Sequence, residues 1–127
     1  MTRSQKGSTL IEVLFALVFL ALALPALTTP LVATIHANHH ASRVATAANL
    51  ARDKLEEFRA VDYATIGSGS DPSPLVADGQ SGGAGAIYTR SWVVAAGPTA
   101  TTKEVTVSVE WTDPAKRQVV IHSALGG

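Results

Sequence analysis

The 127-residue chain has no cysteine and a single methionine, and between Glu12 and Arg43 it has no acidic side chain, lysine or arginine. The missing thiols exclude a disulfide framework and any thiolate metal site. The charge is sparse, with charged residues at 16% in ten basic and ten acidic side chains, so no basic field steers the chain toward nucleic acid. Catalytic signatures are also missing. Ser and Thr are plentiful, but none is spaced to mark a nucleophile with a supporting base. The glycines from Gly67 to Gly85 precede strand-like segments, where a phosphate-cradling loop would follow a strand and open a helix. No enzyme activity and no cofactor are expected.

What is present begins at Lys6-Gly7-Ser8-Thr9-Leu10-Ile11-Glu12-Val13. From Val13 to Leu27 every residue is apolar or proline, and on to Ile35 the only polar side chains are Thr28, Thr29 and Thr34. As a helix, the 23 residues from Val13 to Ile35 extend about 35 Å, enough for a hydrocarbon core of about 30 Å. Glu12 stands at the leading edge of this run. An ionised carboxylate carried toward the bilayer centre costs roughly 2.5 to 3.5 kcal/mol. The helix dipole returns only about 0.3 to 1 kcal/mol to an acid in the first turn. Glu12 therefore needs a cation. Arg3 and Lys6 in the polar leader are the nearest in sequence. A cut after Gly7 would create another, the α-amine of Ser8, one helical turn before Glu12 on this chain or available from a neighbour packed beside it.

Lys6-Gly7 followed by Ser8-Thr9-Leu10-Ile11-Glu12-Val13-Leu14 resembles the processing site of type IV prepilins and type II secretion pseudopilins. The resemblance implies that a membrane prepilin peptidase cuts between Gly7 and Ser8 and methylates the Ser8 amine, and that Glu12 guides assembly with other pilin or pseudopilin subunits. It implies a single-pass protein of the bacterial inner membrane with an extracytoplasmic C-terminal head, which later enters a pilus or pseudopilus. The family usually has Phe after the cut, where this chain has Ser8, and many pilins close a C-terminal loop with a disulfide, which this chain cannot form. Two other readings account for the apolar run. A secretory signal would end near Pro25, Pro30 or Ala33, and a plain single-pass anchor would keep Arg3 and Lys6 in the cytoplasm. Neither explains Gly7 and Glu12 at their spacing.

Downstream the pattern divides the chain into a leader at 1–7, an apolar helix at 8–35 and an amphipathic continuation at 36–62. A Gly/Ser/Pro-rich loop follows at 63–86 and a β head at 87–127. Pro25 and Pro30 each remove a helical amide donor, so mild bends or local melting are expected there. Val44, Ala48, Ala51, Leu55 and Phe58 form one apolar stripe, with Arg43, Arg52, Asp53, Glu56, Glu57 and Arg59 on the other side. The helix from Ser8 to about Val61 would be about 80 Å long. The loop holds six of the ten glycines and reads as mobile. Tyr88, Arg90, Trp92 and Val94, and then Val105, Val107, Val109 and Trp111, alternate with polar or outward residues. A turn at Thr112 to Lys116 leads to a third strand over 117–125. The expected fold is α+β, with a three-stranded antiparallel meander laid on the helix stripe. This order, with Ala48 to Glu57, also resembles PilV-type minor pilins and I-subunit pseudopilins.

The remaining candidates have plainer explanations. His36 with His39 or His40 has helical metal-ligand spacing but no carboxylate to complete a set, so these residues read as the lipid-to-water boundary. Asp71 and Asp78 match no calcium-loop spacing and read as solvated turn residues, so no metal site is expected. Trp92 and Trp111 fall on faces that read as core. The competing functional class is a membrane-anchored binding module with a ligand on the sheet or glycine loop.

Overall fold

The computed structural model describes residues 3–127, with the side chains of residues 7–27 and 30–127. The protein is α+β: a long N-terminal helix α1 (Arg3–Ala60) and a four-stranded antiparallel sheet. The sheet consists of β1 (Gly69–Ser70), β2 (Thr89–Ala96), β3 (Thr102–Thr112) and β4 (Lys116–Gly126), neighbours in chain order. The chain divides into two compact units, one ending at His40 and the other comprising Ala41–Gly127.

In the first unit α1 runs through Pro25 and Pro30 without a break, so of the mild bends or local melting expected there the melting is not found. The hydroxyl of Thr34 donates to the Pro30 carbonyl at 2.8 Å, a local bond within the helix. The large apolar side chains from Leu10 to Ile35 are all 47–69% exposed.

The second unit contains the core. The helix contributes Ala47, Leu50, Ala51, Leu55 and Phe58, with Val44 half-buried at the margin. The buried stripe agrees with the expected one at Ala51, Leu55 and Phe58, and Ala47 and Leu50 lie deeper than Ala48. Against it lie Val105, Val107 and Val109, each fully buried, and Trp111, all from alternate positions of β3. The strict alternation on β3 puts its valines on one face because successive side chains point to opposite sides of a strand. Val109 pairs with Arg90 on one side and Val119 on the other, so the inward face continues across the sheet.

The sheet has one strand more than expected. β1 is only two residues long, too short for any alternation to mark it, and it pairs Gly69 with Trp92 and Ser70 with Ser91. A Cβ on Gly69 would stand 3.1 Å from the Trp92 ring, so the absence of a side chain lets the strand lie against the indole. Beyond β1 the Ser68 hydroxyl replaces a strand partner, accepting from the Val94 amide at 2.8 Å.

The glycine-rich segment is tied to the head more closely than its composition suggests. Leu75 is almost fully buried in the core, and its amide and carbonyl bond Tyr88 and Ile87. Gly79, with φ 87°, turns the chain back beside Leu50. Leu75→Ala is expected to destabilise the head by about 2 to 5 kcal/mol, as for other buried leucines, in denaturant unfolding followed by tryptophan fluorescence. A loss under about 0.5 kcal/mol, the size of a surface change, would mean that the loop is not part of the core.

Candidate functional site

Gly7, Ser8 and Glu12 all lie within α1 and are exposed. Met1, Thr2 and the side chains of Arg3 and Lys6, the rest of the leader, lie outside the described residues. A helix interior is an unfavourable place for glycine, by about 1 kcal/mol relative to alanine. Packing does not require Gly7 either, since a Cβ built on it meets no atom within 4 Å.

Glu12 has a similar character. Among the described residues no cation pairs with it. It precedes Val13 and Leu14, themselves more than half exposed, and stands one turn after Ser8. Fifteen large apolar side chains between Leu10 and Ile35 are left uncovered by the chain itself. Complete burial of each is worth about 1.5 to 3 kcal/mol, so even half of that sums to roughly 11 to 23 kcal/mol. This is as large as the whole 5 to 15 kcal/mol by which a typical domain is stable. The apolar part of α1 is long and apolar enough to cross a membrane.

The other polar candidates are engaged in the head. The Asp71 carboxylate accepts from Arg90 Nε at 2.6 Å, and Arg90 Nη1 donates to the Leu50 carbonyl at 3.0 Å. Arg90 is 8% exposed and links the loop, β2 and the helix in one buried contact. Asp78 accepts from the Gln80 amide in a local turn at 3.0 Å. Neither aspartate is presented as a cation ligand. Among the described residues no group of three His, Asp or Glu side chains converges as a metal site. His36, His39 and His40 are exposed on the helix.

Both tryptophans serve the core. Trp111 packs on Tyr88 with ring centroids 6.0 Å apart. Trp92 meets Phe58 edge-on at 5.9 Å and donates its indole N–H to Gly67 at 3.0 Å. Lys54 is the residue the sequence concealed. It lies on the buried stripe, with Nζ 4.0 Å from the Trp92 ring centroid and 2.9 Å from Glu57 Oε1. The aliphatic stem packs inward while the ammonium is held by a ring face and a carboxylate. Lys103 Nζ donates to the Tyr63 and Ile66 carbonyls at 2.8 and 3.2 Å, tying down the chain just after the helix. It lines a shallow groove of about 390 Å³ with Tyr63, Val94 and Ala96, but its ammonium is turned to the backbone.

Comparison with protein-family profiles, with curated proteins and with solved structures gives no match for this chain. The functional reading therefore rests on the chain's own residues.

Asp71→Ala would strand the Arg90 guanidinium in the core. Removing one partner of a buried pair typically costs about 3 to 5 kcal/mol, so a loss of that order is expected in thermal or denaturant unfolding. Added Ca²⁺ is expected to leave the wild-type midpoint unchanged. A calcium-dependent rise abolished by Asp71→Ala would show that the carboxylate is a cation ligand instead.

Proposed function

We propose that the chain is a structural subunit, a minor pilin or pseudopilin, of a type IV pilus or type II secretion-type filament. It is made as a prepilin held in the bacterial inner membrane by α1, with its head on the extracytoplasmic side. Prepilin peptidase cuts between Gly7 and Ser8 and methylates the new amine, and the processed helix passes from the bilayer into a bundle of like subunits. The observation that carries this reading is a glycine at which an added Cβ would meet no atom, placed before an acid that has no cation partner among the described residues, at the head of a helix whose large apolar side chains are about half exposed or more.

The physical sequence follows from that placement. A peptidase needs an extended substrate, and the Gly7–Ser8 bond lies within helical chain. Glycine lowers the cost of unwinding there because it is the poorest helix former other than proline. Cleavage removes the leader's Arg3 and Lys6 and leaves a cationic amine at Ser8. Glu12 then has a positive charge within one turn, on its own chain or on the adjacent subunit. Lipid covers the apolar side chains before assembly and neighbouring helices cover them after it, so the hydrophobic cost is met in both states.

Intact-mass measurement on the protein purified from membranes of a host containing prepilin peptidase tests this. The expected species begins at Ser8 and carries one added methyl group, and Gly7→Leu retains the leader. A wild-type chain that still begins at Met1, or that begins beyond Pro25, contradicts the reading.

A further inference from the structure

The two edges of the sheet are finished differently. On the β2 side, outward backbone groups are taken up by β1, by the Ser68 hydroxyl at Val94, and by the Asp71 and Leu75 amides, which donate to the Arg90 and Tyr88 carbonyls at 3.0 and 2.7 Å. On the other side β4 ends the sheet. Just outside this strand the Ala115 carbonyl accepts from Asp113 and the Gly127 amide donates to Thr101, each at 2.9 Å, so the odd-numbered residues turn their backbone groups toward β3. The even-numbered residues from Lys116 to Gly126 turn theirs outward, and among the described residues those groups have no hydrogen-bond partner. Native sheets guard such an edge with charge, proline or a bulge. Beyond Lys116 and Arg117 this one is unguarded: Gln118 to Gly126 contains no Asp, Glu, Lys, Arg or Pro, and the register with β3 runs from Lys116 to Gly126 without an offset.

Charge marks what fits there. Arg117, exposed at the start of the strand, has no carboxylate partner among the described residues. At the far end Glu104 of β3 is exposed and likewise makes no ion pair, and only Ala124, its partner on β4, separates it from the edge. With Thr106 and His122 these two residues border a groove of about 350 Å³. We infer that β4 is a strand-addition site for an extended segment of a different protein. The segment joins antiparallel, like the rest of the sheet, with an acidic residue opposite Arg117, a β-branched residue opposite Val120, and a basic residue opposite Ala124 that reaches Glu104. Main-chain hydrogen bonds satisfy the outward groups, the charges at the two ends fix direction and register, and Val120, now 42% exposed, is covered. A second copy is a poorer occupant. Its β4 set parallel would bring Lys116 and Arg117 against themselves. Set antiparallel, it would reverse the helix that packs on the sheet, opposing two copies anchored side by side. Only this last exclusion rests on the reading of α1 as membrane-spanning.

The probe is the synthetic peptide Lys-Thr-Thr-Val-Val-Ile-Thr-Asp-Glu with blocked termini, which in this register sets its lysine opposite Ala124 and its acids opposite Arg117 and Lys116. Labelled with a fluorophore, it is titrated with the full-length protein in detergent micelles and followed by anisotropy. Saturable binding is expected, with the charge-reversed peptide Glu-Thr-Thr-Val-Val-Ile-Thr-Lys-Lys about tenfold weaker, a difference that shrinks in roughly 1 M salt. Methylating the backbone nitrogens of the third, fifth and seventh peptide residues, whose N–H groups face β4, is expected to abolish binding to the unaltered protein. Gln118→Pro removes one outward amide and leaves the β3 ladder intact, so the unfolding midpoint is expected to stay unchanged while binding weakens up to about tenfold. No saturable binding up to about 1 mM, equal binding of the two peptides, or tolerance of the methyl groups overturns the inference. The chain lacks cysteine, so Val120→Cys supplies a single thiol at the centre of the edge, where it would meet itself in a copy paired there. The variant is expected to remain monomeric on mild oxidation in micelles. A disulfide-linked dimer would assign the edge to a second copy and overturn the proposed partner.

Discussion

A helix that is apolar on every side is driven out of water, and among the described residues the apolar part of α1 stays largely exposed. From Leu10 to Ile35 the large apolar residues remain about half exposed or more, while a few turns later the same helix buries Leu50, Leu55 and Phe58 under a sheet. The two halves use the same secondary structure to meet different requirements. The second half is packed against its own polypeptide, while the large apolar side chains of the first remain exposed and the segment is long and apolar enough to cross a membrane. Glu12 becomes meaningful in this setting. On a soluble helix it would be an ordinary surface carboxylate, but at the edge of an uncovered apolar run its solvation depends on what joins that run.

The head behaves as a small domain that supports itself without covalent staples. Its core is a layer of valines from β3 facing the helix stripe, and its few buried charges are compensated within short reach. Arg90 is held by Asp71 and by the Leu50 carbonyl, and Lys54 by Glu57 and the Trp92 face. These contacts join the loop, sheet and helix at points where the sequence separation is large, 19 residues from Asp71 to Arg90 and 40 from Leu50 to Arg90. In a chain without cysteine, such long-range polar ties limit how far the glycine-rich segment can leave the core.

Much of this was legible in the sequence because periodicity reports which face is buried. The alternation of Val105, Val107, Val109 and Trp111 identified the inward side of β3, and Ala51, Leu55 and Phe58 marked the helix stripe. What could not be read depends on groups brought together by the fold. Lys54 reads as a surface cation until Phe58 and Trp92 are placed around it. The partner of Arg90 lies in a loop whose composition suggests mobility, and β1 is too short for any pattern. The Leu75-Val76 pair could have been noticed as aliphatic residues in a segment otherwise rich in Gly, Ser and Pro. At the candidate site the residues were all visible in the sequence, and the structure adds that Gly7 has no packing role.

The account depends on Glu12 acting in assembly and not in membrane insertion. The most direct test compares wild type with Glu12→Ala in cells that build the filament, measuring membrane flotation and incorporation into sheared, sedimented filaments. Flotation is expected to be equal, with incorporation of the variant falling about tenfold or more, equivalent to roughly 1.4 kcal/mol of lost subunit affinity. Equal incorporation of both proteins would contradict the claim that this carboxylate pairs with a cation created by processing.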